Sequence, residues 1–420
     1  MSGVRQGARH LAAGVILSAT LVAPLQAQVW PPISNEIKRG RVRVGPLALT
    51  PRFELRNAGV DTNVFLTPTE PTRDTSVVLR GSLDGYLPVG PRLRLVGAGW
   101  LDFNYFKTIS AESSTDPGGE GHFEFDIWRL TLIGGGGGFR SRQLYTTDID
   151  ERIERREEWW SAGSRLRITN QLNIEFGVED RKYRWGESVT SGGQVASQLD
   201  RDTTTYEGAA RVRLSALTDL VASAERIEDT FLVATPGLET TTSYRYLAGF
   251  EFGERAFMTG RILAGVRDIP AGLAGSAPIY RGPVIEASVV VPFVQSVRLS
   301  AGYSRDVSYS ASSGTTVDPS QRNAYLHDRI QGDLDVEGPL DVVLRLTGGY
   351  ENARYLRPVA TADGSIDRRD RVYAAGASLL WRIGDTVLLG VTALHSRRDS
   401  NDPAGIYDRW QYGVQGFINP

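Results

Sequence analysis

The chain contains no cysteine. Disulfides, thiolate metal sites and cysteine nucleophiles are therefore excluded, as is a lipid anchor carried on an N-terminal cysteine. Lysine is nearly absent. Only Lys38, Lys107 and Lys182 occur, so 44 of the 47 basic residues are arginine. Neither sign of charge dominates, with 47 basic against 49 acidic residues, and this is no nucleic-acid footprint. Long apolar runs are also missing. After the first 27 residues, no segment approaches the 18 or so consecutive apolar residues of a membrane-spanning helix.

The first 27 residues read as a secretory signal. Arg5 and Arg9 form a positive start, Leu11 to Val22 is uncharged and apolar, and Leu25-Gln26-Ala27 offers a small-residue cleavage site. The apolar part is too short for a bilayer-spanning anchor. Without these residues the formal charge becomes −4, because two arginines and no acids are removed. Residues 28–45, with Pro31-Pro32, are expected to be a short periplasmic segment, too small for a plug domain.

What is present is a two-residue rhythm running from about residue 47 to the end. Leu172, Ile174, Phe176 and Val178 share one face, whereas Asn173, Glu175, Gly177, Glu179 and Arg181 share the other. Successive side chains of a strand point to opposite faces, so such a segment is a strand with one apolar and one charged side. Eighteen runs of this kind are expected. They fall near 46–57, 75–87, 92–106, 119–131, 136–147, 157–168, 171–184, 202–215, 218–229, 241–252, 256–268, 280–291, 295–307, 321–336, 340–352, 370–383, 386–397 and 405–418. Connections alternate in length. Tight turns such as Pro88-Val89-Gly90-Pro91, Gly253-Glu254-Arg255, Gly338-Pro339 and Gly384-Asp385 follow the even strands. Longer polar loops such as Thr108–Gly118, Glu187–Leu199, Ser308–Pro319 and Pro358–Ile366 follow the odd ones. Eight short turns and nine long loops predict an all-β, up-and-down antiparallel barrel over residues 46–420, with both termini periplasmic in a bacterial outer membrane.

The lipid side of such a barrel must be apolar and its lumen polar. Apolar faces include Leu93/Leu95/Leu101/Phe103/Tyr105, Tyr244/Tyr246/Ala248/Phe250/Phe252 and Val297/Leu299/Ala301/Tyr303. Parity then places Arg165, Arg167, Glu175, Glu179, Arg211, Arg213, Arg245, Arg261, Arg298, Arg329 and Arg345 on the pore wall. Barrels of 16–18 strands leave an aqueous channel where small ones fill with side chains, so a wet, open pore is expected. Trp100, Tyr105, Trp159, Trp160, Tyr183, Trp185, Tyr206, Tyr303, Tyr350, Trp381 and Trp410 fit interfacial girdles near strand ends. Of these, Trp100, Trp159 and Tyr183 also qualify as stacking surfaces for sugars inside the lumen. The apolar face switches at Ile127-Trp128, which a bulge or a displaced strand would explain, and Gly134 to Gly138 reads as a flexible turn plus a small-residue entry to the next strand.

No catalytic constellation emerges. His122, His327 and His395 lack spacing that would bring a base to a nucleophile, and they read as wall or interface histidines. Asp148-Ile149-Asp150-Glu151-Arg152 has the wrong spacing for a calcium loop. Neither a cofactor nor a metal is expected.

Two segments carry a resemblance. Asp61-Thr62-Asn63-Val64-Phe65 resembles the D-D-N-V-F element of the putative β-barrel porin-2-like family, and Ser396-Arg397-Arg398-Asp399-Ser400-Asn401 resembles its S-R-R-D-S-N element. Tyr407 and Arg409 fit its tyrosine–arginine ending. The resemblance implies an outer-membrane barrel without catalytic residues, often encoded with exopolysaccharide synthesis and export machinery. Expected partners are outer-membrane lipid, the barrel assembly machinery and, through the resemblance, polysaccharide export components. Three functions compete: a porin-like channel for hydrophilic solutes or exported polysaccharide, a non-conducting structural or adhesive barrel acting through its outer loops, and, least favoured, a barrel enzyme.

Overall fold

The computed structural model describes residues 33, 35–143, 152–186, 189–190, 194–233, 240–253, 256–270, 279–294, 296–310, 324–361 and 364–418. The expected signal sequence at 1–27 and the acidic stretch Asp148–Glu151 lie outside the described residues.

Eighteen antiparallel strands close into one barrel. They are β1 (Leu47–Asp61), β2 (Asp74–Val89), β3 (Leu93–Phe106), β4 (Ser114–Ile127), β5 (Leu130–Gln143) and β6 (Ile153–Arg167). Then follow β7 (Leu172–Trp185), β8 (Arg201–Arg213), β9 (Thr218–Phe231), β10 (Thr240–Phe252), β11 (Thr259–Ile269) and β12 (Tyr280–Val294). The last six are β13 (Val297–Tyr309), β14 (Ala324–Glu337), β15 (Val342–Tyr355), β16 (Arg369–Ile383), β17 (Val387–Ser400) and β18 (Tyr407–Ile418). Each strand pairs with its chain neighbours, and β1 closes on β18 with Phe53 opposite Ile418 and Asp61 opposite Gln411. Closure leaves no edge, which a strand wall in hydrocarbon requires because unpaired backbone groups find no water there. Ahead of β1, a short helix (Asn35–Arg39) and the strand Val42–Val44 fold back along it.

The alternation of connections is as the sequence predicts. Eight short ones, such as 90–92, 295–296 and 384–386, lie at one end, here the short-turn end, and nine longer ones lie at the other, the long-loop end. Gly90 and Gly384 occupy the left-handed region, at φ +65° each, where a side chain would be strained.

One pair of strands departs from expectation. β4 and β5 both begin about five residues earlier than predicted, and the turn between them is Trp128-Arg129, with Trp128 at φ +57°. The apolar parity breaks at Ile127-Trp128 because the chain reverses there, not because of a bulge. Gly134 to Gly138, expected as a turn that runs into the strand, therefore lies wholly within β5. Its glycines make room for rings. A Cβ at Gly134 would come 2.7 Å from the Phe123 ring, and one at Gly137 would come 2.7 Å from the Trp159 ring. The residues Ser114–Gly118, expected in a loop, pair with β3 instead. True bulges occur elsewhere, at Leu55–Asn57 in β1 and Pro292–Val294 in β12.

The two faces separate cleanly. Phe53, Phe103, Tyr105, Phe176, Tyr246, Phe250 and Ile330 stand exposed on the outside. Charged side chains of the opposite parity meet each other inside, including groups on strands that are not neighbours.

Candidate functional site

The interior wall holds the predicted charged residues, and it divides into three zones. In the middle, Arg245 on β10 is the hub. It donates to Glu225 at 2.8 and 2.9 Å and to Asp306 at 3.3 Å, and Glu286 lies 3.9 Å away. Arg267 donates to the same Asp306 at 2.8 Å, and Arg261 pairs with Glu286. Asp306 lies on β13, so this network reaches across three strand positions and knits β9 to β13 from within. Around it, Val221, Leu247, Leu263, Ile269 and Val284 form an apolar patch on the same inward parity. This zone is packed, whereas the sequence reading expects an open, wet wall throughout. The reason is that long side chains reach across the lumen: the register sets Glu225, Arg245 and Arg267 in one row, and Asp306, from a strand that is not their neighbour, closes on both arginines. Other predicted wall residues are paired as well. Arg165 donates to Glu175 at 2.7 Å, Arg329 to Glu351 at 2.8 Å and Arg345 to Asp335 at 2.7 Å, while Glu179 accepts from Arg181 at 2.9 Å. Arg298 sits opposite Asp335 in register.

At the long-loop end, aromatic rings turn inward and are capped by guanidinium groups. Arg152 lies over Phe106 at 4.8 Å, Arg155 over Trp185 at 4.9 Å, Arg201 over Tyr183 at 4.1 Å and Arg368 over Tyr355 at 5.0 Å. Tyr309 donates to Asp229 at 3.0 Å and meets Phe231 edge-on at 5.0 Å. The short segment Ala196–Leu199 folds in against Trp185 and Ile153. Four of the expected girdle residues thus belong inside: Trp100 beneath Arg80, Trp159 beneath Arg181, and the Tyr183–Trp185 pair. A strand-end aromatic signals an interface only on the lipid-facing parity, and these have the other parity. Tyr105, Trp160, Tyr206, Trp381 and Trp410 do face outward.

The family-like motifs meet at this same end and tie the barrel shut. Asp61, 1 % exposed, accepts from Arg409 Nε at 2.9 and 3.1 Å and from Gln411 at 3.2 Å. Asn63 donates to the carbonyls of Thr67 and Asp408 at 2.9 and 3.1 Å. Thr62 and Trp410 exchange two further bonds. The first and last strands are thereby stitched through side chains as well as backbone. In the second motif, Arg398 points inward, lies over Tyr407 at 5.0 Å and bonds the carbonyl of Gly405. Ser400 donates to Asp370 at 2.6 Å, and Asn401 accepts from the Arg369 backbone at 2.8 Å. These motif residues build the rim, and the sequence gives no sign of the first motif's role because Arg409 and Gln411 lie nearly 350 positions from Asp61.

At the short-turn end the interior opens into a cavity of about 480 Å³. Its wall includes four of the predicted arginines, Arg165, Arg167, Arg211 and Arg213, together with Glu175, Glu251 and Asp219. Asn170 and Asn173 complete it. Arg211 contacts Glu175 at 3.2 Å and also pairs with Glu251. Arg213 is 54 % exposed and stands 3.7 Å from Asp219.

The histidines do not assemble a reactive site. His122 and His327 lie on the inward parity, whereas His395 stacks on Trp410 at 4.5 Å and bonds Asp408 at 3.0 Å on the outer face. No group of residues suited to holding a metal occurs among the described residues.

A search of curated proteins finds no match. Solved structures with a similar fold include the outer-membrane protein OpdK of Pseudomonas aeruginosa, at 12% identity and a TM-score of 0.48, covering 88% of this chain and 98% of that one. OccAB3 of Acinetobacter baumannii has 12% identity and a TM-score of 0.44 over 88% and 98% of the two chains. The ferric enterobactin receptor PfeA has 11% identity and a TM-score of 0.44 over 88% and 72%. The family described as "Putative beta-barrel porin 2" matches residues 42–415, nearly the whole barrel, and the chain belongs to that family of outer-membrane barrels.

Proposed function

We propose that the protein is an outer-membrane conduit for hydrophilic solutes, its short turns and both termini in the periplasm and its long loops outside. The observation that carries this reading is the division of one closed wall into an apolar outside and a charged inside that opens into a cavity at the short-turn end. An apolar exterior suits lipid, and a row of paired charges suits water and polar solutes. Polysaccharide export is the finer form of this reading, supported by the family and by inward rings such as Trp100 and Trp159 that could stack on sugars. Single-channel recording on the purified protein in planar bilayers tests it. Discrete conductance steps are expected, and their absence at every voltage and salt concentration would reject it.

A second reading is favoured by one observation, the packed aromatic and arginine layer at the long-loop end. A barrel closed there would act through its outer loops as a structural or adhesive element. Trimming those loops while keeping the strands separates the two, because loss of surface binding with unchanged solute flux supports the second.

A further inference from the structure

We infer that the short-turn cavity is a binding site for a carboxylate, borne on a sugar or free, with Arg167 and Arg213 as its capturing cations. This rests on reading the barrel as a solute conduit and names the class of solute it selects. The strand register sets the geometry. Arg167, Asn173 and Arg211 form one row across β6, β7 and β8. Arg213 heads the adjoining row with Asp219 and Glu251. Adjacent strands are about 4.8 Å apart, so Arg167 and Arg211 flank Asn173 across about 10 Å of backbone.

Among the residues that line this cavity the charges do not balance. Four guanidinium groups face three carboxylates. Arg165 and Arg211 are held by Glu175 and Glu251. Arg213 has only a distant contact at 3.7 Å. Arg167 is exposed; its charge is felt by Asp126, but among the described residues the two form no ion pair. An exposed guanidinium in a concave, charged setting takes a carboxylate through its two-pronged fork. The amide of Asn173, beside Arg167 in the register, can donate to and accept from a hydroxyl, which a hydroxylated acid supplies.

The test is equilibrium binding to the full-length protein in detergent, using a galacturonate trimer, monomeric galacturonate and neutral maltotriose. The trimer should bind at least tenfold more tightly than maltotriose and should weaken with added salt. The double variant Arg167→Ala/Arg213→Ala should lose tenfold or more, and Arg167→Lys/Arg213→Lys should fall between, because lysine keeps the charge without the fork. Monomer binding as tight as the trimer identifies a free carboxylate as sufficient, whereas trimer-only binding identifies an acidic saccharide. Equal binding of maltotriose, or no change in the alanine variant, overturns the site. Heat-modifiable migration on gels checks that each variant folds. Bilayer recordings on the same preparations separate the two readings: carboxylate binding without conductance keeps the site and removes the conduit, and conductance without carboxylate preference does the reverse.

Discussion

The two ends of this barrel are built from the same residue types and use them differently. At the long-loop end, arginine is buried against aromatic rings and inside closed ion pairs, as with Arg409 on Asp61 and Arg368 on Asp370. Around the short-turn cavity, two arginines, Arg167 and Arg213, line open space and are incompletely paired. The difference shows that charge on a barrel wall can either hold strands together or present itself to a solute. Burial decides which. A desolvated pair punishes the loss of one partner, whereas a solvated pair contributes little.

The largest expected effect tests the closed end. Asp61→Ala leaves the part-buried Arg409 without its partner and should cost up to about 3–5 kcal/mol, the range of half-broken buried pairs. Urea unfolding in detergent micelles reads this as a lowered midpoint, and the double variant Asp61→Ala/Arg409→Ala should recover part of it. An unchanged midpoint for the single variant would show that the motif does not fasten the seam. A smaller effect is expected in the centre of β5. Gly137→Val drives a branched side chain into the Trp159 ring and should cost about 1–3 kcal/mol by overpacking. Trp159→Ala in the same chain should relieve part of the strain. If Gly137→Val alone is neutral, the register of β5 is different.

The comparison can also be sharpened through flux. If the aromatic layer restricts the long-loop end, Tyr309→Ala should raise single-channel conductance severalfold, because it removes the ring that meets Phe231 and the hydroxyl that bonds Asp229. Unchanged conductance would place the restriction elsewhere. The smallest effect belongs to the open end. Asp219→Asn breaks only the 3.7 Å contact to a half-exposed Arg213 and should change stability by about 0–1 kcal/mol. A loss as large as that of Asp61→Ala would erase the distinction between the ends.

Much of the wall was legible in advance. Leu172 to Arg181 alternates without interruption, and the structure sets those residues on opposite faces as the alternation requires. Legibility failed where a local pattern had two meanings. Gly134 to Gly138 looks like a turn because glycine is permissive, yet here it serves close packing against Phe123 and Trp159, which lie on neighbouring strands. Trp185 looks like a girdle residue because it ends a strand, but its parity and Arg155 place it inside.

By itself, then, the sequence determined the strand count, the alternation of short and long connections, and which side of most strands is apolar. Those follow from a two-residue period and from turn chemistry, both of which are local. Only the tertiary structure decided which wall arginines are locked and which are loosely paired. It also decided that Asp61 and Arg409, at opposite ends of the chain, close the seam together. Pairing across strands depends on register and curvature, and these exist only once the barrel has closed.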